Sequence, residues 1–213
     1  DVDYHYHENP ELKRQPFVFL TDFVGCLPMN PDDPRETLLC AERNADDIEH
    51  VARYPYLRDA AIFVGNPDDV PEQPFGPGLP GIREWTDRNF CYCGYCLPFD
   101  PRSLADTDRL RARHGYRPDE RIVIASVGGT SVGGSLLRRI AQAFPRMKRD
   151  VPSLRLILVA GPRLQLDLPP IDGLEVRPYV HDLFEHLACS DLALVQGGLS
   201  TCMELVALQR PFL

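Results

Sequence analysis

Apolar residues along the chain form two kinds of pattern. Short runs rich in β-branched and aromatic side chains occur at 16–24 (PFVFLTDFV), 60–64 (AAIFV), 89–97, 121–127 (RIVIASV), 154–160 (LRLILVA), 174–177 (LEVR) and 191–195 (DLALV). Runs of this kind predict buried strands. Elsewhere apolar residues recur at helical spacing. Within 35–52, Leu38, Ala41, Ala45, Ile48 and Val51 share a face, with Asn44, Asp46, Asp47 and Glu49 between them. A helix is predicted after Gly134 with Leu136, Leu137, Ile140, Ala143, Phe144 and Met147 on one side, and Pro145 is expected to kink or shorten it. Asp182, with Glu185 three residues on, has the form of a capping box opening a helix to Cys189, and 199–208 reads as another helix. Strands alternating with helices through short glycine turns predict an α/β fold with parallel sheets.

The segment 67–88 is rich in Pro and Gly, carries Trp85, and reads as a long irregular connection. Pro98-Phe99-Asp100-Pro101 breaks the run before it, which divides the chain into 1–97 and 98–213. The chain opens without a methionine, and Pro211-Phe212-Leu213 reads as the first residues of a further strand, so both domains are expected to be incomplete.

Composition narrows the class. The chain has 213 residues, 44% hydrophobic and 25% charged, as in an ordinary soluble globular protein. A net charge of −8 gives no global attraction for nucleic acid or anionic lipid, although a local peripheral contact with a membrane remains compatible with it. No apolar run approaches the roughly 20 residues that span a bilayer, and Asp1 to Glu8 hold no signal core. Seven cysteines, several within apolar runs, suggest buried free thiols and a cytoplasmic location.

Two segments carry candidate chemistry. The first is the strand at 121–127 with Gly128-Gly129-Thr130-Ser131-Val132-Gly133-Gly134 and the helix after it. Backbone amides at such a helix start suit a diphosphate. The loop is neither a Walker A sequence nor GxGxxG, which argues against ATP hydrolysis and dinucleotide binding. A tight turn would need only two of the glycines; four of them, with Thr130, Ser131 and Ser135, favour phosphate contact. The second is Gln196-Gly197-Gly198-Leu199-Ser200-Thr201-Cys202-Met203-Glu204, again between a strand and a helix. Thr201 and Glu204 can form a capping box; alternatively the amides with Ser200 or Thr201 bind phosphate while Glu204 accepts from a ribose diol. Two such loops at the carboxyl ends of strands in one domain favour the second reading.

These two blocks, with Pro211-Phe212-Leu213, resemble the carboxyl-terminal domain of GT-B glycosyltransferases, specifically the UDP-glycosyltransferases and MurG-like N-acetylglucosaminyltransferases. The resemblance implies two Rossmann-like parallel-sheet domains, with 1–97 as the end of an acceptor-side domain and 98–213 as the donor-binding domain. It implies that Gly128, Gly129, Thr130 and Ser131 form one wall of the donor diphosphate site. Gln196, Gly197, Gly198, Ser200 and Thr201 would form the other, with Glu204 on the ribose and Val180, in Tyr179-Val180-His181, near the base. It further implies an inverting hexosyl transfer from a UDP-sugar to a small-molecule or lipid acceptor, with neither metal nor cofactor. The chain departs from the natural-product enzymes in placing Gln196 where they usually have His. The family's amino-terminal glycine loop and its base fall outside this sequence, so within it Asp22, at a strand end, is the candidate base or acceptor-orienting group; a bond to the following turn is its alternative role. An epimerase or hydrolase on the same fold, and a non-catalytic donor-binding subunit needing a partner acceptor domain, are the rival functions.

Other groups carry less. Cys91, Cys93 and Cys96 have C-x-C-x-x-C spacing without a second cluster at finger-like distance, so a strand is favoured over a zinc site. His5, His7 and Glu8 read as a solvated terminus, Asp68, Asp69 and Glu72 as a solvated loop, and Arg83 with Trp85 as hinge packing rather than an acceptor contact.

Overall fold

A computed structural model describes residues 2–128, 133–166 and 168–213, and divides the chain into two compact units, 1–96 and 97–213. Each is a parallel α/β unit.

The first unit holds a parallel sheet of β1 (Val18–Thr21), β2 (Ala60–Phe63) and β3 (Cys91–Tyr92) in that order. Helix α1 (Val2–Glu8) precedes it, α2 (Pro34–Arg53) joins β1 to β2, and α3 (Ile82–Asn89) leads into β3. Asp33 caps α2 by accepting from the Arg35 amide, and Pro34 occupies the first helical position, where no amide is needed. The core gathers Phe63, Val70, Phe75, Ile82 and Phe90, with Trp85 set edge-on to Phe75.

Three expectations change here. The stretch 67–88 is not irregular throughout, since α3 begins at Ile82 and carries Trp85 into the core. Only Cys91–Tyr92 of the run 89–97 pairs as a strand. On α2, Cys40 and Asn44 are buried whereas Leu38 is 59% exposed. Asn44 is inside because its amide is fully used: Oδ1 accepts from the Cys26 amide at 2.6 Å, and Nδ2 donates to the carbonyls of Cys26 and Phe75. Bonded in this way, a buried amide costs little.

In the second unit the sheet order is β6-β5-β4-β7, all parallel, with β4 (Arg121–Ser126), β5 (Leu154–Val159), β6 (Leu174–Arg177) and β7 (Leu192–Val195). The helices are α4 (Thr107–Arg113), α5 (Gly134–Asp150), α6 (Leu183–Cys189) and α7 (Leu199–Ala207). Period-2 alternation divides the two central strands between two cores. Ile122, Ile124, Ile157 and Val159 meet Leu110, Leu187 and Leu205 of α4, α6 and α7. Val123, Ala125, Leu156 and Leu158 meet Leu137, Ala141 and Phe144 of α5. Covered faces on both sides are what parallel sheets require, and they explain why these strands read as nearly continuous apolar runs. Each large buried side chain contributes about 1.5–3 kcal/mol.

Helix α5 runs past Pro145 to Asp150, and its buried face uses Ala141 rather than the exposed Ala143. Asp182 precedes α6 in the left-handed conformation and makes no side-chain cap; Glu185 turns instead to Arg113 and His114. Pro211 to Leu213 does extend the sheet, with Phe212 bridging Ala193 in parallel beside β7.

Candidate functional site

The register of the second sheet builds the site. Ser126 lies opposite Val159 and Val195, and Val159 opposite Arg177, so the four strands finish level and deliver their loops to one edge. In doubly wound sheets that edge is where ligands bind. A cleft of about 410 Å³ opens there. Ser126 and Val127 line it from the end of β4, Val159, Gly161 and Pro162 from the end of β5, Tyr179 to Asp182 from the segment between β6 and α6, Leu183 and Phe184 from α6, and Thr201 and Glu204 from α7.

The glycines of the first loop divide by role. A Cβ on Gly133 would stand 2.3 Å from the Cβ of Val127, and one on Gly134 would stand 2.9 Å from Leu164. These two glycines let α5 start against the strand end. Gly128 is exposed and its Cβ position faces open space. Gly129, Thr130 and Ser131 lie outside the described residues.

At the second loop, Gly197 has φ +83°, a left-handed turn that glycine adopts without strain, and Gly198 is the cap residue of α7. The Thr201–Glu204 capping box is therefore not formed: Thr201 lies inside the helix, with Leu199 and Ser200 before it. The first-turn amides of α7 have no intrahelical acceptor and sit at the positive end of its dipole. Glu204, one turn on from Ser200, is half-buried, and its carboxylate makes no hydrogen bond or ion pair among the described residues. Burial alone raises its pKa above the ordinary carboxylate value.

Val180, Thr201 and Glu204 therefore meet in one cleft, whereas Gly128, Gln196, Gly197, Gly198 and Ser200 lie outside its lining. Ser126, Gly161 and Pro162 line it beyond the residues the sequence suggests, and so does Asp182, which the sequence suggests only as a helix cap. Asp182 at φ 49° is one of two non-glycine residues with positive φ among those described, an unusual conformation at the cleft.

In the first unit, Asp22 is exposed just past β1. The adjacent turn is bonded by Thr21, whose hydroxyl donates to the Phe23 carbonyl, and not by Asp22. A second cleft, about 400 Å³, lies beside it, lined by Thr21, Phe23 to Cys26, α2 side chains, Phe75, Trp85 and Phe90. Cys91, Cys93 and Cys96 are exposed thiols, unlike the buried Cys40 and Cys189, and no cluster able to hold a metal occurs among the described residues. No described helix is long and apolar enough to cross a membrane.

The fold has counterparts among solved structures. A solved structure described as the glycotransferase of kitacinnamycin superposes with TM-score 0.51 at 17% identity, over 92% of this chain and 50% of its own. The chain has the GT-B fold. Among curated proteins, this GT-B chain is 30% identical over 111 residues to the UDP-N-acetylglucosamine–N-acetylmuramyl-(pentapeptide) pyrophosphoryl-undecaprenol N-acetylglucosamine transferase of Exiguobacterium, covering 50% of this chain and 30% of that protein. An uncharacterized glycosyltransferase of Methanopyrus kandleri is 25% identical over 125 residues, covering 59% of this chain and 35% of its own length. These matches show MurG-like transferases among its homologues. The chain spans about a third of the curated relatives it matches. No protein-family model matches it.

Proposed function

We propose that this chain is the donor-binding part of a glycosyltransferase that moves a sugar from a UDP-sugar to an acceptor hydroxyl with inversion. The observation that carries the reading is Glu204. A carboxylate held half-buried without a partner among the described residues, one turn into a helix whose amino end faces the same sheet edge, suits a ribose diol beside a diphosphate. The donor printed in the name of the Exiguobacterium relative supports the choice of UDP.

In this reading the α7 amides and Thr201 take the diphosphate, Glu204 accepts from the ribose hydroxyls, and the 179–181 segment meets the base. Gly128 to Ser131 supply the other wall of the diphosphate site. As the sugar–phosphate bond breaks, negative charge grows on the departing diphosphate, and the helix dipole stabilises it without reorganisation. A general base takes the acceptor proton; Asp22, exposed at the end of β1, is the candidate within this sequence. No step requires a metal.

Calorimetric titration with UDP, using ADP and TDP as controls, tests the donor site in the chain and in its Glu204→Ala variant. UDP-selective binding that weakens in the variant is expected. Absence of nucleotide binding by the folded full-length protein would sink the proposal.

A further inference from the structure

Helix α2 presents Cys40 and Asn44 one turn apart on its buried face. Asn44 grips Cys26 by both backbone groups, accepting from its amide at 2.6 Å and donating to its carbonyl at 2.9 Å. That clamp seats Cys26 over Cys40, with the two Sγ atoms 3.1 Å apart. A disulfide needs its sulfurs about 2.05 Å apart, so the thiols have little more than an ångström to close. Met29 and Asn30 amides donate to Glu36 on the first turn of α2, so the whole 26–30 segment already lies along the helix.

We propose that Cys26 and Cys40 are a disulfide-forming pair that latches the segment after β1 to α2. The segment is a wall of the 400 Å³ cleft, whose lining includes Thr21, Gly25, Cys26 and Asn44. Oxidation therefore fixes one side of that cleft and reduction frees it. Cys40 is buried, and its thiol is pushed up to about 11 by its hydrogen bond to Cys26 and by burial, so Cys26, the partly exposed member, makes the first attack. With oxidised glutathione as oxidant, the Cys26 thiolate displaces one glutathione to give a mixed disulfide. Cys40 then gives up its proton and attacks the Cys26 sulfur, releasing the second. Two protein thiols and one glutathione disulfide become one protein disulfide and two glutathiones.

The test is mass spectrometry of the folded chain after exposure to oxidised glutathione, followed by alkylation and trypsin. Cys26 and Cys40 fall on different tryptic peptides, 15–35 and 36–43. The expected result is a joined pair that reductant separates, together with a melting temperature that rises on oxidation. Cys40→Ser should stop at glutathione on Cys26, and Asn44→Ala should lose most of the joined peptide. Alkylation of both Cys26 and Cys40 after the exposed Cys91, Cys93 and Cys96 have been oxidised would overturn the proposal. So would a wild-type chain that stops at glutathionylated Cys26.

Discussion

The Tyr116 hydroxyl and His186 Nδ1 lie 2.6 Å apart in the core of the second unit, with the His114 ring 3.9 Å from that of His186 between centroids. Burial, aided by His114, Arg177 and Arg113, pushes His186 down to about 4, so the fold holds it neutral.

Acid should therefore loosen this unit. Between the ordinary histidine value of 6.5 and about 4, the unfolded chain binds a proton that the folded chain refuses. Stability is complete above that window and is lost progressively as pH falls through it, by about 3 kcal/mol in the limit. Urea melts from pH 8 to pH 5 should show the loss, and His186→Gln should flatten the slope over pH 5–7. Tyr116→Phe, which leaves the imidazole nitrogen without its partner, should cost about 1–3 kcal/mol at pH 8.

Asp191 ties the starts of two neighbouring strands. It accepts from the Ile122 amide at 2.7 Å and pairs with Arg111 and Arg121. Burial opposes its charge, yet these partners outweigh burial and lower its pKa. Asp191→Ala should destabilise by about 1–3 kcal/mol, and Asp191→Asn by less, because an amide oxygen still accepts from Ile122. Chemical denaturation of the two variants distinguishes these outcomes.

Glu204 should show a trade between binding and stability. Its raised pKa means that the folded chain holds the proton more tightly than the unfolded one. The carboxylate is thus a stabilising neutral group at low pH and a burden as pH rises past its folded value. Glu204→Gln should melt higher than wild type at pH 7.5, with the gap closing near pH 4, while UDP affinity falls. Equal melting at both values would show that the carboxylate is not strained by burial.

The close approach at Gly133 makes a paired test. Gly133→Ala drives a Cβ into that of Val127 and should cost about 1–3 kcal/mol, whereas the same change in a Val127→Gly background, where that Cβ is gone, should cost less. A double-mutant cycle by thermal unfolding reads the coupling.

The central strands of the second unit are legible in the sequence because both their faces are covered, leaving runs such as RIVIAS and LRLILV apolar at most positions. Helix α3 was not legible: IREWTDRN is polar apart from Ile82 and Trp85 and sits among Pro and Gly. The burial of Asn44, a polar residue set between the apolar positions of its helix, is illegible for the opposite reason: it depends on backbone groups 18 and 31 residues away. The site divides similarly. Thr201 and Glu204 follow from a local glycine-to-helix pattern, whereas Gly161, Pro162 and Asp182 reach the cleft only through the register of parallel strands, which no local spacing encodes.

The pairing of Phe212 beside Ala193 bears on how the second sheet behaves among other molecules. The backbone of β7 is occupied on that side by 211–213: the Ala193 amide donates to the Pro211 carbonyl and the Val195 amide to that of Leu213. At the opposite border, β6 carries Glu175 and Arg177, ion-paired to each other and, through Glu175, to Arg155. Charged side chains along β6 discourage another strand from adding there, and the 211–213 segment withholds the β7 backbone, so neither strand offers a bare ladder to a copy.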